Sequence, residues 1–139
     1  MDLLILSNLI SHLYKTYVNH KEMAVILGKV GCLVYPSTCD TFSLVVIEAL
    51  ASGLYVIASS YLRGIFDEFQ AIGVLEYCNP TSSEMSKRMK AFLTREIDIY
   101  AFEKARQLIM EKYSWNSISG LLYDYFISFV KMGDQVAKN

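Results

Sequence analysis

The chain has 139 residues, enough for one domain that buries about two-thirds of its unfolded surface and too few for two full-sized ones. Its 13 basic and 14 acidic residues leave a net charge of −1, which removes any electrostatic case for nucleic acid as a partner. Hydrophobic residues make up 53% and aromatics 13%, a surplus that leaves apolar surface for an interface.

In chain order, residues 2–6 read as a strand. The run Leu3-Leu4-Ile5-Leu6 is short, follows Asp2 and lacks a basic lead-in, so it is not expected to be a signal peptide. No stretch reaches the ~18 apolar residues of a spanning helix, so no transmembrane segment is expected. Asn19 and Glu22 predict a capping box for a helix over 20–29, with Val18 and Met23 as its hydrophobic staple. After Gly31 come a strand at 32–35, a helix over 42–52 and a strand at 55–59. Connections this short fit a βαβ unit, hence parallel strands. A further short strand is expected at 74–77.

After Pro80 the strand pattern stops. Thr81 and Glu84 predict a second capping box, opening a helix with Met85, Met89 and Phe92 on one face and a solvated stripe of Lys87, Arg88 and Lys90 opposite. Phe102, Ala105 and Ile109 mark a helix over about 98–112. Trp115, Ile118, Leu122, Tyr125 and Phe129 mark another over 115–131, with a second apolar face at Leu121, Phe126 and Val130. These stripes are expected to be core or interface. The fold class is α/β: a Rossmann-like parallel sheet with flanking helices and a helical C-terminal third.

The candidate chemistry lies in residues 34–53. Asp40 and Glu48 stand eight positions apart around the start of an otherwise apolar helix. An ionised Glu beside Leu44-Val45-Val46-Ile47 and Ala49-Leu50 costs several kcal/mol unless something polar meets it, so Glu48 is expected to look into a cleft. A helix opening after a strand points its free amides outward. Those of Phe42, Ser43 and Leu44 form a site for phosphate or sugar oxygens, and the flanking carboxylates accept hydrogen bonds from sugar hydroxyls. Asp40 or Thr41 is also a good helix N-cap, which is the structural alternative for Asp40. His12 and His20 have no Cys or acid at ligand spacing, so no metal site is expected. Cys32, Cys39 and Cys78, odd in number and without ligand spacing, read as reduced thiols of a cytoplasmic protein.

Pro36 and Ser37, Phe42, Glu48, Ala49, Ala51, Gly53 and the strand Val56-Ile57-Ala58-Ser59 form a pattern that resembles the retaining GT-B glycosyltransferases. That family carries Pro-Ser, Glu-Gly-Phe-Gly and Glu-Ala-x-Ala-x-Gly before a buried strand. Gly64-Ile65 with Asp67 resembles its Gly-Gly-Ile-Pro-Glu loop. Tyr113-Ser114-Trp115 and the helix after it resemble its closing segment, so the resemblance covers roughly residues 17–130. Departures are Asp40 for the family's Glu, Thr41 and Ser43 for Gly, Tyr55 for Pro and Arg63 for the first Gly of the later loop. Asp withdraws the carboxylate by one methylene, and Thr or Ser adds bulk where backbone approaches a ligand.

The resemblance implies that Glu48 holds the ribose hydroxyls of a nucleotide diphosphate sugar and that Asp40 contacts the transferred hexose. It implies that the amides of Phe42, Ser43 and Leu44 meet sugar or phosphate, with no cofactor or metal. A GT-B enzyme closes its cleft between two domains, and the family's basic diphosphate clamp lies upstream of the matched part. The chain is thus expected to be a single partial donor-binding domain, 1–139, truncated at its N-terminal side. Its partners would be an unknown acceptor and either a missing acceptor-side domain or a second copy. The alternatives are a nucleotide-sugar epimerase-like domain, and a binding or assembly module that kept the fold without turnover.

Overall fold

The computed structural model describes residues 18–136, with side chains described as far as residue 131. The expected strand at 2–6 and His12 lie outside the described residues. The chain divides into two compact units between Val30 and Gly31, and each is described by itself.

In the first unit, helix α1 spans His20–Leu27. Asn19 Oδ1 accepts the Glu22 amide at 3.0 Å and Glu22 Oε2 accepts the Asn19 amide at 3.4 Å, which is the capping box read from the sequence. The helix stops two residues short of the expected 29, where Gly28 N–H bonds the Ala24 carbonyl. His20 is exposed on its first turn.

The second unit is built on three parallel strands, β1 (Cys32–Tyr35), β2 (Tyr55–Ser59) and β3 (Leu75–Cys78), in the order β1-β2-β3. Val34 stands opposite Ile57, and Ala58 opposite Tyr77. Every residue of β2 is buried, none more than 2% exposed, as an unbroken Tyr-Val-Ile-Ala run requires in a sheet covered on both faces. β3 lies one residue later than the expected 74–77.

Between β1 and β2 runs α2 (Leu44–Ala51), which buries Val46, Ile47, Ala49 and Leu50. A short 3-10 turn (Ser60–Leu62) and α3 (Asp67–Ile72) connect β2 to β3. Both α2 and α3 end on a glycine in the left-handed region, Gly53 at φ +80° and Gly73 at φ +93°. In each case the next residue bonds back to a carbonyl of the last turn, Leu54 to Ala49 and Val74 to Phe69, so the chain enters the following strand at once. Any other residue at these two positions would strain the backbone.

The helical third comprises α4 (Ser82–Phe92), α5 (Ile99–Tyr113) and α6 (Trp115–Val136). Thr81 Oγ1 accepts the Glu84 amide, the forward half of the expected box. Met85 is buried, whereas Met89 is exposed. Arg88, expected on the solvated stripe, is half-buried instead and pairs with Glu76 of β3 at 3.5 Å. α5 buries Ala105 and Ile109 as its stripe demands. Asp98 caps its start, and Arg106 Nε bonds the Ala51 carbonyl at 3.1 Å, closing the end of α2.

The α6 stripe is not core within this unit. Trp115 is 84% exposed, and Leu122, Tyr125 and Phe129 lie in the open together with Leu121, Phe126 and Val130. Periodicity shows which face of a helix is apolar but does not place a second element against it.

The largest fully buried side chains are Phe66 and Phe69, with ring centroids 6.4 Å apart, and a further core cluster joins Tyr55, Ile57, Cys78 and Met85. The Phe66 amide donates to Tyr77 Oη at 3.1 Å, and burial pushes the Tyr77 phenol up to about 12. Tyr77→Phe keeps the ring but strands a buried N–H. It is expected to destabilise the unit by about 1–3 kcal/mol in chemical denaturation, and an unchanged midpoint would show that the bond carries no stability.

Candidate functional site

The carboxyl ends of parallel strands deliver the chain into loops on one side of the sheet. Residues 36–43 follow β1, residues 60–66 follow β2 and residues 79–81 follow β3. In an open α/β sheet this is the side where ligands bind.

Asp40 sits half-buried in the first loop and is held from two directions. Tyr35 Oη, at the end of β1, donates to Asp40 Oδ2 at 2.6 Å, and the Phe42 amide donates to Oδ1 at 3.1 Å. The Tyr35 hydroxyl is the main reason the Asp40 carboxyl titrates below its ordinary value of 3.8, with the Phe42, Ser43 and Thr41 contacts adding to it. A carboxylate offers about four lone-pair sites, so two bonds fix its orientation and leave capacity for a ligand hydroxyl.

The helix start differs from expectation, and the difference moves the available amides. α2 opens at Leu44 rather than 42, and its N-cap is Ser43, not Asp40 or Thr41. Asp40 reaches only the Phe42 amide because its side chain is engaged by Tyr35, so it closes a turn one step ahead of the helix. The Phe42 amide is therefore committed to Asp40. The first i→i−4 bond of α2 runs from Ile47 to Ser43, leaving Leu44, Val45 and Val46 as the amides that precede it. Ser43 is buried and its hydroxyl makes no well-formed hydrogen bond among the described residues, though it lies close enough to Asp40 to help hold the Asp40 carboxyl below its ordinary value.

Glu48 lies one turn along α2 from Leu44, about 6 Å down the helix axis. It is half exposed on a stripe with Val45 and the open Leu44, while the residues on either side of it are buried. Its carboxylate has no hydrogen-bond or ionic partner among the described residues.

The two loops after β1 and β2 meet through Phe42. Its ring lies 5.9 Å from Phe66 and 5.8 Å from Tyr113 at the end of α5. Tyr113 and Lys112 both donate to Glu68 of α3, fixing α5 across the sheet end. Lys112 is raised above its ordinary value chiefly by its hydrogen bond to Glu68. Tyr35 was the residue that sequence reasoning missed. Its only signal was its position at the last place of β1, where a phenol can fold over the following loop.

Other titratable groups belong to structure. Burial pushes the half-buried Cys32 thiol up to about 11, so it is no nucleophile. Arg95 bonds Tyr55 Oη at 3.0 Å and the Gly73 carbonyl at 2.9 Å at the amino ends of β2 and β3, away from Asp40. No group of three His, Cys, Asp or Glu residues among the described residues is arranged to hold a metal ion. No described helix is long and apolar enough to cross a membrane.

An open parallel sheet with a clamped carboxylate and a helix start beyond its strand ends defines an α/β domain with a crevice-side binding face. A family model described as glycosyl transferases group 1 matches residues 4–115, and the chain belongs to that family. The match begins earlier than the expected residue 17 and stops at Trp115, so it leaves out nearly all of α6. No curated protein and no solved structure matches the chain.

The Tyr35–Asp40 bond gives a pH dependence of known sign. The folded carboxyl titrates below its unfolded value, so the bond's contribution is present above pH 3.8 and is lost as pH falls through the lower folded value. Tyr35→Phe should bring the Asp40 titration, followed by carboxyl NMR, back up toward 3.8. An unmoved titration would assign the shift to the backbone amides instead.

Proposed function

We propose that this chain is the donor-binding part of a retaining hexosyltransferase, using a nucleotide diphosphate sugar and an unknown acceptor. One observation carries the reading: within a group 1 glycosyltransferase sequence, Glu48 presents a carboxylate with no partner among the described residues one turn below the open amide end of α2. Glu48 accepts the ribose hydroxyls, and Asp40, oriented by Tyr35 and the Phe42 amide, meets the transferred hexose. The amides at the start of α2 receive sugar or phosphate oxygens, those of Leu44 and Ser43 rather than the committed Phe42.

The chemistry asked of these residues is placement more than proton transfer. Asp40 stays ionised at neutral pH, so it aligns the hexose by accepting its hydroxyls, and the departing diphosphate takes up the charge that develops. The proposed transfer calls for no metal or cofactor. Free thiols at Cys32, Cys39 and Cys78 suit a reducing, cytoplasmic setting. A second reading, an assembly module without turnover, is favoured by the open apolar faces of α6.

Glu48→Gln removes a charged acceptor worth roughly 1.5–3 kcal/mol, so nucleotide affinity should fall about tenfold or more while the melting temperature holds. Titration calorimetry giving equal affinities for the two proteins would remove the ribose role. Asp40→Asn should weaken the nucleotide-sugar far more than the bare nucleotide, and an equal loss of both would return Asp40 to a turn-forming residue. The purified chain by itself should transfer no sugar, because one face of a cleft neither excludes water nor orients an acceptor. Robust turnover by this chain alone, measured with radiolabelled donors, would overturn that expectation.

A further inference from the structure

The loops at the carboxyl ends of the strands, 36–43, 60–66 and 79–81, contain one basic residue, Arg63. It is exposed, and the backbone beneath it is firmly mounted. The preceding Leu62 is fully buried, Ser59 Oγ accepts the Tyr61 amide at 3.3 Å, and Asp67 Oδ1 accepts the following Gly64 amide at 2.9 Å. The guanidinium lies over the Tyr77 ring, 5.7 Å from its centroid, and makes no ion pair among the described residues. Even Asp67, close to the same phenol, is turned to the Gly64 amide. Other arginines of this unit are committed: Arg88 to Glu76, and Arg95 and Arg106 to carbonyls at the opposite ends of the strands.

A short chain of contacts joins Arg63 to the start of α2. Tyr77, under the guanidinium, accepts the Phe66 amide at 3.1 Å, and the Phe66 ring lies 5.9 Å from Phe42, two residues ahead of Leu44. A phosphate brought to that helix start also comes near the carboxylate of Asp40. Like charges at such range repel, and a cation must offset them. A guanidinium held over an aromatic face with no ion-pair partner has donors left for bidentate contact with phosphate oxygens.

We infer that Arg63 is the diphosphate contact of this site, supplying from the loop after β2 the positive charge that the donor's two phosphates need. The inference rests on the proposed function, because it presumes a nucleotide diphosphate donor. It makes Arg63 a binding residue that reads the anion and not the nucleoside.

The test compares the full chain with Arg63→Gln, Arg63→Lys and Glu48→Gln, titrated by NMR with uridine, guanosine, their diphosphates and inorganic pyrophosphate. Arg63→Gln should weaken the diphosphates and pyrophosphate about tenfold or more, leave the nucleosides unchanged, and flatten the salt dependence of diphosphate binding. Arg63→Lys should recover part of the loss, and the melting temperature of each variant should match that of the parent chain. Glu48→Gln should weaken nucleosides and diphosphates alike. If the parent chain binds diphosphates and Arg63→Gln binds them equally well, or loses nucleosides to the same extent, the role of Arg63 is overturned while the donor reading stands. If the parent chain binds none of these probes, both fall together.

Discussion

Strand β2 has a parallel neighbour on each edge and no exposed residue, and that single constraint organises the second unit. A fully buried strand must hand every backbone bond to its neighbours and every side chain to a covering layer. Parallel neighbours in turn require crossovers, so α2 and α3 carry the chain back along the sheet, and all loops of one kind gather at one end. Asp40, the start of α2 and Arg63 share that end because β1 and β2 run the same way.

Asp40 shows how a scaffold and a site can use the same hydrogen bonds. The bonds from Tyr35 and Phe42 consume two of the carboxylate's acceptor positions, and what remains is oriented without help from a ligand. Such preorganisation lowers the entropy lost on binding. It also explains why the helix begins late: an Asp engaged from behind cannot reach forward to cap the helix amides. Glu48 is the opposite case, a carboxylate whose position is fixed by the buried residues around it and whose oxygens nothing in the described chain engages.

The strands and helices of the second unit were legible in the sequence because burial and turn chemistry agree there. Cys32–Tyr35 and Tyr55–Ser59 are largely apolar runs that open just after Gly31 and Gly53, and both strands fall at the expected residues. Asn19 with Glu22 is a local code that needs no tertiary context. The start of α2 was misjudged because Asp40 had two possible partners, and only the fold brings Tyr35 within reach. Arg88 was misread for a related reason, since helical spacing places it opposite the core but cannot show that Glu76 of β3 waits there. The face of α6 was recognised as apolar, while its exposure depends on what lies against it, which no periodicity records.

The two ends of the sheet differ in how much change they can absorb. Where helices return to strands, residues 52–54 and 73–74, the path turns on single left-handed glycines and is braced by Arg106 and Arg95. Where strands feed helices, residues 36–43 and 60–66 run longer, and apart from the buried Ser43, Leu62 and Phe66 they lie open or half-buried. Insertions and sequence drift should therefore be tolerated at one end and purged at the other. Over evolutionary time such a frame can be refitted to new ligands without being refolded, since the segments free to vary are those that face the crevice.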